Sequence, residues 1–349
     1  MDLLNIGYYN NETVVKPELI KRMNMGLIYK VLISRSSATR GEISKETQIS
    51  LTTVRTLLEE LKENGDVIEL KLDESSGGRR AQRYTINPEK NLILTFCVDN
   101  GEIIYKISDL LSNVKEEGNI NAIENNIDIL INFMLEKKGE WDICSVGIGV
   151  PGIVKEKHFY ISKGFNIWHI NKMGQEIQEK LNIPVILEND LNAIAYGYVI
   201  DKVCEFNDIS VKSSNIVYIH FNNSCIGAGI IVDGRIVHGN NKFAGELGFL
   251  PWKDGKNINE ILKYSTYEEC VELIARIISI LNCVINPSLV VVGGDNENIK
   301  NMNLEIIYKY VKRYISDIMM PNIALAENDT KYYLEGLTHL TARNYIENI

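Results

Sequence analysis

Apolar residues recur with a helical period in two places near the start of the chain. After Pro17, which suits the first turn of a helix, the stripe Leu19, Ile20, Met23, Leu27, Ile28, Val31 and Leu32 predicts an amphipathic helix. After Ser50, a second stripe of Val54, Leu57, Leu58 and Leu61 predicts another. Between them Thr39 is followed three residues later by Glu42, the reciprocal arrangement of a capping box, so a short helix is predicted to start near Arg40. Ser50 is an N-cap residue type. Thr47 to Ser50 is all that separates the last two helices, which forces them to cross steeply.

Such a pair suits a DNA major groove, because the first turns of a recognition helix reach base edges while its partner crosses the backbone. Ser50, Thr52, Thr53, Arg55 and Thr56 are the residues so presented. A helical hairpin with a solvated polar face is the alternative. Val67 to Leu72 reads as a strand and Arg83 to Ile86 as its return, with the Gly-Gly-Arg-Arg tip between them. Together these make a winged helix with Arg79, Arg80 and Arg83 on the wing, placed to follow phosphates or enter a minor groove. For any one arginine a solvated linker remains the alternative.

From Leu92 the period changes. LILTFCV and IIYKI flank Asp99-Asn100-Gly101 as a hairpin, and a helix is predicted over 121–136. Apolar strands CSVGIGV, PVILE, NIVYIHF, GAGIIV and SLVVVGG then alternate with helices at 171–182, 191–200, 266–284 and 303–319, and a last amphipathic helix runs from about Tyr333 to Glu347. Apolar strands alternating with helices predict α/β architecture with covered sheets. No internal repeat is visible in the residues.

With 349 residues, of which 45% are hydrophobic, the chain has material for two or three cores. Its net charge of −9 is unevenly spread. Residues 17–87 hold 12 Lys and Arg against 10 Asp and Glu, so the remainder is strongly acidic and repels nucleic acid. Operator binding then has to be sharply oriented, and a dimer serves that need. Cys97, Cys144, Cys204, Cys225, Cys270 and Cys283 lie far apart, mostly within apolar runs, and read as reduced core residues, neither a disulfide nor a zinc framework. No stretch reads as a signal peptide or membrane span, so a cytoplasmic location is expected.

Five stretches, VGIGVPGIV at 146–154, GFNIW at 164–168, PVILENDLNAIAYG at 184–197, IGAGIIVDGRIVHGNNKFAGELG at 226–248 and INPSLVVVGG at 285–294, stand in the order of one family. Over roughly residues 18–345 the chain resembles the ROK family of bacterial repressors, open reading frames and sugar kinases. The resemblance implies an N-terminal winged helix-turn-helix followed by a two-lobed, actin-like (sugar-kinase, ribonuclease-H-like) α/β fold. It also implies that Asn189 and Asp190 match the family's sugar-binding pair, Asp190 at the general-base position, and that Glu246 matches its sugar-binding glutamate. A plain Asn-Asp after a strand is otherwise a turn or helix cap.

The departures carry as much information. Phe249 stands where the family has a zinc-ligating histidine, and the cysteine-rich zinc motif is missing from Pro251 to Lys263, although Glu260 matches the glutamate just beyond it. No metal is therefore expected, and no cofactor. The first phosphate loop begins as Asp99-Asn100-Gly101 but continues with Glu102 and Ile103, and the second reads Asn223-Ser224-Cys225 where glycines let a backbone approach phosphate.

The resulting expectation is a DNA-binding transcriptional regulator, a repressor, with a kinase-derived domain that senses a sugar or related small molecule and no longer transfers phosphoryl groups. Its boundaries are an arm at 1–16, the winged helix at 17–88, a first lobe at 89–200 completed by a helix at 330–349, and a second, dimerising lobe at 201–329. Its partners are operator DNA, an effector bound by Asn189, Asp190, Glu246, Phe249 and Glu260, and further copies of itself as a homodimer or higher homo-oligomer, with no membrane. An active sugar kinase with a DNA-binding appendage, and a ligand-independent DNA-binding protein with a decayed cleft, are the alternatives.

Overall fold

The computed structural model describes residues 17–70, 81–99, 102–120, 127–162, 168–206, 215–223 and 225–349. The described residues divide into two compact units, one of those up to 87 with 345–349 and one of those from 88 to 344. The sequence reading assigned all of 330–349 to the first lobe, whereas the last five residues group with the first unit: Arg22 Nη2 donates to the Asn348 carbonyl at 2.6 Å.

In the first unit, α1 (Pro17–Arg35) leads through β1 (Ala38–Thr39) into α2 (Arg40–Thr47), α3 (Leu51–Glu63) and the pair β2 (Val67–Glu69) and β3 (Arg83–Ile86), which with β1 form a sheet in the order β1-β3-β2. Both bonds of the Thr39/Glu42 capping box are made, at 2.7 and 3.2 Å. Helix α3 buries Val54, Leu57, Leu58 and Leu61, as its period predicts.

Helix α1 departs from its predicted stripe. Leu19, Ile20, Met23 and Leu27 are exposed, and the buried residues are Met25, Gly26, Ile28, Tyr29, Val31 and Leu32. The packed face of α1 turns polar one step upstream, where Lys21 pairs with Glu60 at 2.6 Å, so the apolar stripe near the helix start lies beside that face rather than on it.

The second unit contains two sheets of five strands. The chain runs through β4 (Leu92–Asp99), β5 (Glu102–Ser108), β6 (Val114–Ile120), α4 (Ile127–Glu140) and β7 (Ile143–Val150). A small sheet of β8 (Ile153–Lys155), β9 (His158–Ser162) and β10 (Trp168–Asn171) follows, then α5 (Met173–Leu181), β11 (Val185–Asn189) and α6 (Asp190–Phe206). The second lobe continues with β12 (Ile216–Phe221), β13 (Ile226–Val232), β14 (Arg235–Ile236), α7 (Ile258–Leu262), α8 (Tyr267–Val284), β15 (Leu289–Gly293), α9 (Glu297–Lys300), α10 (Leu304–Val311), β16 (Asn322–Leu325) and α11 (Asp329–Glu347). The helix expected over 303–319 is shorter, ending at Val311 ahead of a 3-10 turn at Asp317–Met319.

The sheet orders are β11-β7-β4-β5-β6 and β14-β13-β12-β15-β16. In each, the first three strands make an antiparallel meander and the last two add in parallel beside the first. The same topology is therefore used twice, although no repeat is visible in the residues. Helices α6 and α11 lie between the sheets. Gly147 and Gly149 of β7 let Thr341 and Tyr333 of α11 approach, and Gly229 of β13 lets the Leu191 backbone of α6 do the same. Where the two helices cross, Gly197 meets the Tyr332 carbonyl and Gly336 the Ala193 carbonyl.

Candidate functional site

The first candidate surface is the start of α3. Helix α2 ends on Gln48, which adopts a left-handed conformation at φ 60° without glycine, and Ser50 Oγ accepts from the Thr53 amide at 3.1 Å. Thr52, Arg55 and Thr56 are exposed, while the Thr53 hydroxyl is already engaged with Ser50 Oγ at 2.8 Å. Two features escaped the sequence reading. Leu51, the first helical residue, is 58% exposed, and Arg55 is paired with Glu59 one turn on. The i,i+4 spacing was available as a signal.

Arg79 and Arg80 lie outside the described residues. Arg83 was expected on the wing, but it stands in β3, where its guanidinium donates to the Ser37 carbonyl at 2.9 Å and to Ser37 Oγ at 3.2 Å and lies 3.4 Å from Glu42. Those bonds tie β3 to the segment between α1 and α2. A residue so held serves the scaffold and is not presented to a phosphate.

The second candidate site lies at the carboxyl end of β11, where parallel α/β sheets place ligands. Asn189 caps α6: its Oδ1 accepts from the Asn192 amide at 3.0 Å and its Nδ2 donates to the Gly152 carbonyl at 3.0 Å. The plain reading of an Asn-Asp pair as a helix cap thus holds for Asn189, which keeps spare amide capacity. Asp190 begins α6 beside it.

From the second lobe, Glu246 approaches the same region because the loop after β14 folds back on β13, with Ala228 N donating to Gly245 O at 2.8 Å. Gly245 has φ +91°, and a Cβ there would lie 2.0 Å from the Ala228 carbonyl oxygen, so only glycine closes this turn. Burial, and then the negative charge of Asp190, push the Glu246 carboxyl up to about 7. Phe249 is half-buried in the short 3-10 helix after Glu246, its ring centroid 5.3 Å from that of Phe243.

Glu188 and His238 join the two lobes and were not singled out from the sequence. His238 Nε2 sits 3.1 and 3.3 Å from the two Glu188 oxygens, and Glu188 Oε1 also accepts from Asn192 Nδ2 at 3.0 Å. A further polar cluster centres on Asp329. It receives the Tyr218 hydroxyl, the His220 imidazole at 3.1 Å and the Gly294 amide, which hold its carboxyl below the usual range against the cost of burial. Burial disfavours the His220 cation, but Asp329, Asp190 and Asp295 outweigh it and raise the imidazole above its ordinary value.

Glu260 belongs elsewhere. Its carboxylate accepts from the Asn257 amide at 2.8 Å in the capping box of α7, and it lines a surface cavity of about 550 Å³ with Trp252, Tyr264, Arg276 and Arg313 that includes neither Asp190 nor Glu246. The segment before it is closed by hydrogen bonds, among them Trp252 N to Lys256 O at 2.9 Å. Among the described residues, no three His, Cys, Asp or Glu side chains are grouped to hold a metal ion. Nor is any described helix long and apolar enough to cross a membrane.

The Glu246 environment has a measurable consequence. A carboxyl raised in the folded state binds more protons there than in the unfolded chain, so its contribution is intact below the ordinary carboxylate range and is lost as pH rises towards and through about 7. Glu246→Gln removes that titration. The urea midpoint of the wild type is expected to fall relative to the Gln variant between pH 5 and pH 8; parallel curves would mean that Glu246 is well solvated.

Residues 97–259 match the model of the ROK family. The chain is 26% identical over 240 residues to the xylose repressor of Bacillus subtilis, covering 66% of this chain and 61% of that protein. It is 30% identical over 244 residues to the xylose repressor of Caldicellulosiruptor bescii, covering 66% and 59%. The chain thus spans about three-fifths of the length of these relatives. A solved ROK family transcriptional regulator, described as a homologue of the E. coli Mlc protein, superposes with TM-score 0.68 at 18% identity over 94% of this chain and 96% of its own. The two-lobed fold, the matched stretch and these relatives agree, and the chain carries a ROK family domain.

Proposed function

We propose that this chain is a transcriptional regulator that binds operator DNA through α3 and responds to a sugar or related small molecule held between the lobes of its ROK domain. The observation that carries the reading is a capped helix with an exposed polar face, in a winged-helix unit, on the same chain as that domain. The names of the relatives, xylose repressors, make a sugar the first effector class to test. Asn189, Asp190 and Glu246 form the effector site with Phe249 as an apolar wall. Closure of the lobes on ligand shifts the spacing of two winged helices in a dimer away from the roughly 34–36 Å between half-sites. The effector has to bind the two arrangements unequally for that shift to occur.

Apolar residues support the second lobe as the dimerising surface. Ile280 and Val284 of α8 are exposed, as are Ile318 and Met319 of the segment tied to α8 by the bond from Asn282 Nδ2 to Met319 O at 2.9 Å. Phosphoryl transfer is not part of the proposal. In the β12–β13 connection the Cys225 amide donates to Asn222 Oδ1 at 2.8 Å, so a donor that could meet phosphate is already used. The Gly294 amide is likewise taken by Asp329. The 251–263 segment carries no Cys or His that could ligate zinc.

Gel shifts with the DNA upstream of its own gene test the reading. A discrete complex that weakens on adding a sugar is expected, while ADP release with glucose, xylose and N-acetylglucosamine stays at background. Sugar-dependent turnover lost in Asp190→Asn would instead favour the kinase.

A further inference from the structure

Arg55 and Glu59 lie one turn apart on the exposed face of α3, their side chains 65% and 48% exposed. Arg55 donates through Nε to Glu59 Oε1 at 2.8 Å. The bond uses the side of the guanidinium. Its outer edge, the Nη1 and Nη2 fork, takes no hydrogen-bond partner among the described residues and belongs to a side chain that is 65% exposed. Two parallel N–H groups on that edge match the O6 and N7 acceptors that guanine presents in the major groove.

The pair has little to offer the fold. Exposed i,i+4 ion pairs contribute almost nothing to stability, and this one runs from cation to anion along the helix, the less favourable order. A carboxylate on a surface that approaches phosphates also repels DNA. Glu59 therefore opposes binding in general and gains a role only by restricting a long side chain with several free torsions to one orientation.

We propose that Arg55 reads a guanine in each operator half-site and that Glu59 is the positioning residue that fixes its guanidinium for that contact. The inference rests on the DNA-binding reading above and adds to it the base recognised and the residue that sets the discrimination.

Selection of full-length protein on a duplex library with a randomised core, followed by competition titrations, tests it. Wild type enriches guanine at one fixed position of each half-site, with a preference of roughly 5- to 150-fold over other bases. Arg55→Ala erases the preference at that position alone. Glu59→Ala flattens it to within about threefold and raises affinity for unrelated duplex, because one opposing charge is gone. Glu59→Gln loses the same charge but keeps an acceptor for Nε, so it shares the increased non-specific affinity and retains the guanine preference. A Glu59→Ala variant that keeps the wild-type preference overturns the proposal, as does a Glu59→Gln variant that loses it as fully as alanine. If wild type enriches no sequence at all, the DNA-binding reading fails with it, an outcome distinct from intact selection that ignores Glu59.

Discussion

Gly197→Ala and Gly336→Ala are each expected to destabilise the second unit by about 3 kcal/mol or more, among the largest effects of any single methyl group in this chain. A Cβ on Gly197 would lie 1.8 Å from the Tyr332 carbonyl oxygen, and one on Gly336 would lie 1.9 Å from that of Ala193. Both neighbours are helix backbone, which cannot rotate away as a side chain would. The helices would have to separate, opening the cluster in which Tyr198, Tyr218 and Tyr332 stack edge to face. Urea unfolding followed by circular dichroism measures the loss. Gly139→Ala is the control: it lies in α4 with nothing within 4 Å of its Cβ, so the same change there should be neutral or slightly stabilising. Equal midpoints for all three variants would show that α6 and α11 do not cross this closely.

The second large effect concerns the ion pair that fastens α11 to the first sheet. The Lys106 side chain in β5 is only 2% exposed, and its ammonium has Glu335 as partner at 3.1 Å. Removing the partner leaves a buried cation, which costs far more than the pair gains, so Glu335→Ala is expected to lower stability by about 3 kcal/mol. Lys106→Met replaces the charge by an apolar chain of similar shape and leaves Glu335 partly hydrated, so it should be close to neutral. The asymmetry between the two variants is the diagnostic result. Similar losses for both would mean that the pair contributes through attraction rather than through avoidance of an isolated charge.

How far the sequence carried the fold depended on whether a signal was local. Capping boxes and apolar periods are local, and Thr39 with Glu42, Ser50 and the α3 stripe led directly to the helices found. Strands with two covered faces were equally plain. Edge strands were not: β6 reads VKEEGNI, with charges where a covered strand would carry Val or Ile, and it was missed. Candidate site residues divided in the same way. Asn189, Asp190 and Glu246 came from their resemblance to family motifs. Glu188, His238 and the Asp329 cluster acquire meaning only when segments 50 or more positions apart meet, as Glu188 and His238 do. Glu260 and Arg83 show the converse error, since each matched a plausible role by position while its side chain was already committed to a cap or a strand tie.

The glycine crossing sets a geometric limit on the second unit. Helices α6 and α11 follow the fifth strands of two sheets of the same topology, each begins with an aspartate, Asp190 or Asp329, and each carries its crossing glycine seven residues later. The contacts are reciprocal as well, with each glycine set against the carbonyl four residues before the other. A pseudo-dyad therefore passes close to that contact. With backbone against backbone, little free volume is left for the two helices to slide past each other, so this contact favours rotation about the crossing over translation along it. Near the fulcrum atoms barely travel, whereas displacement grows with radius, and a few degrees of rotation become ångströms at the rim of each lobe. A small ligand held near Asp190, as proposed, would thus work on the short arm of a lever, and whatever reads the movement is best placed on the long one.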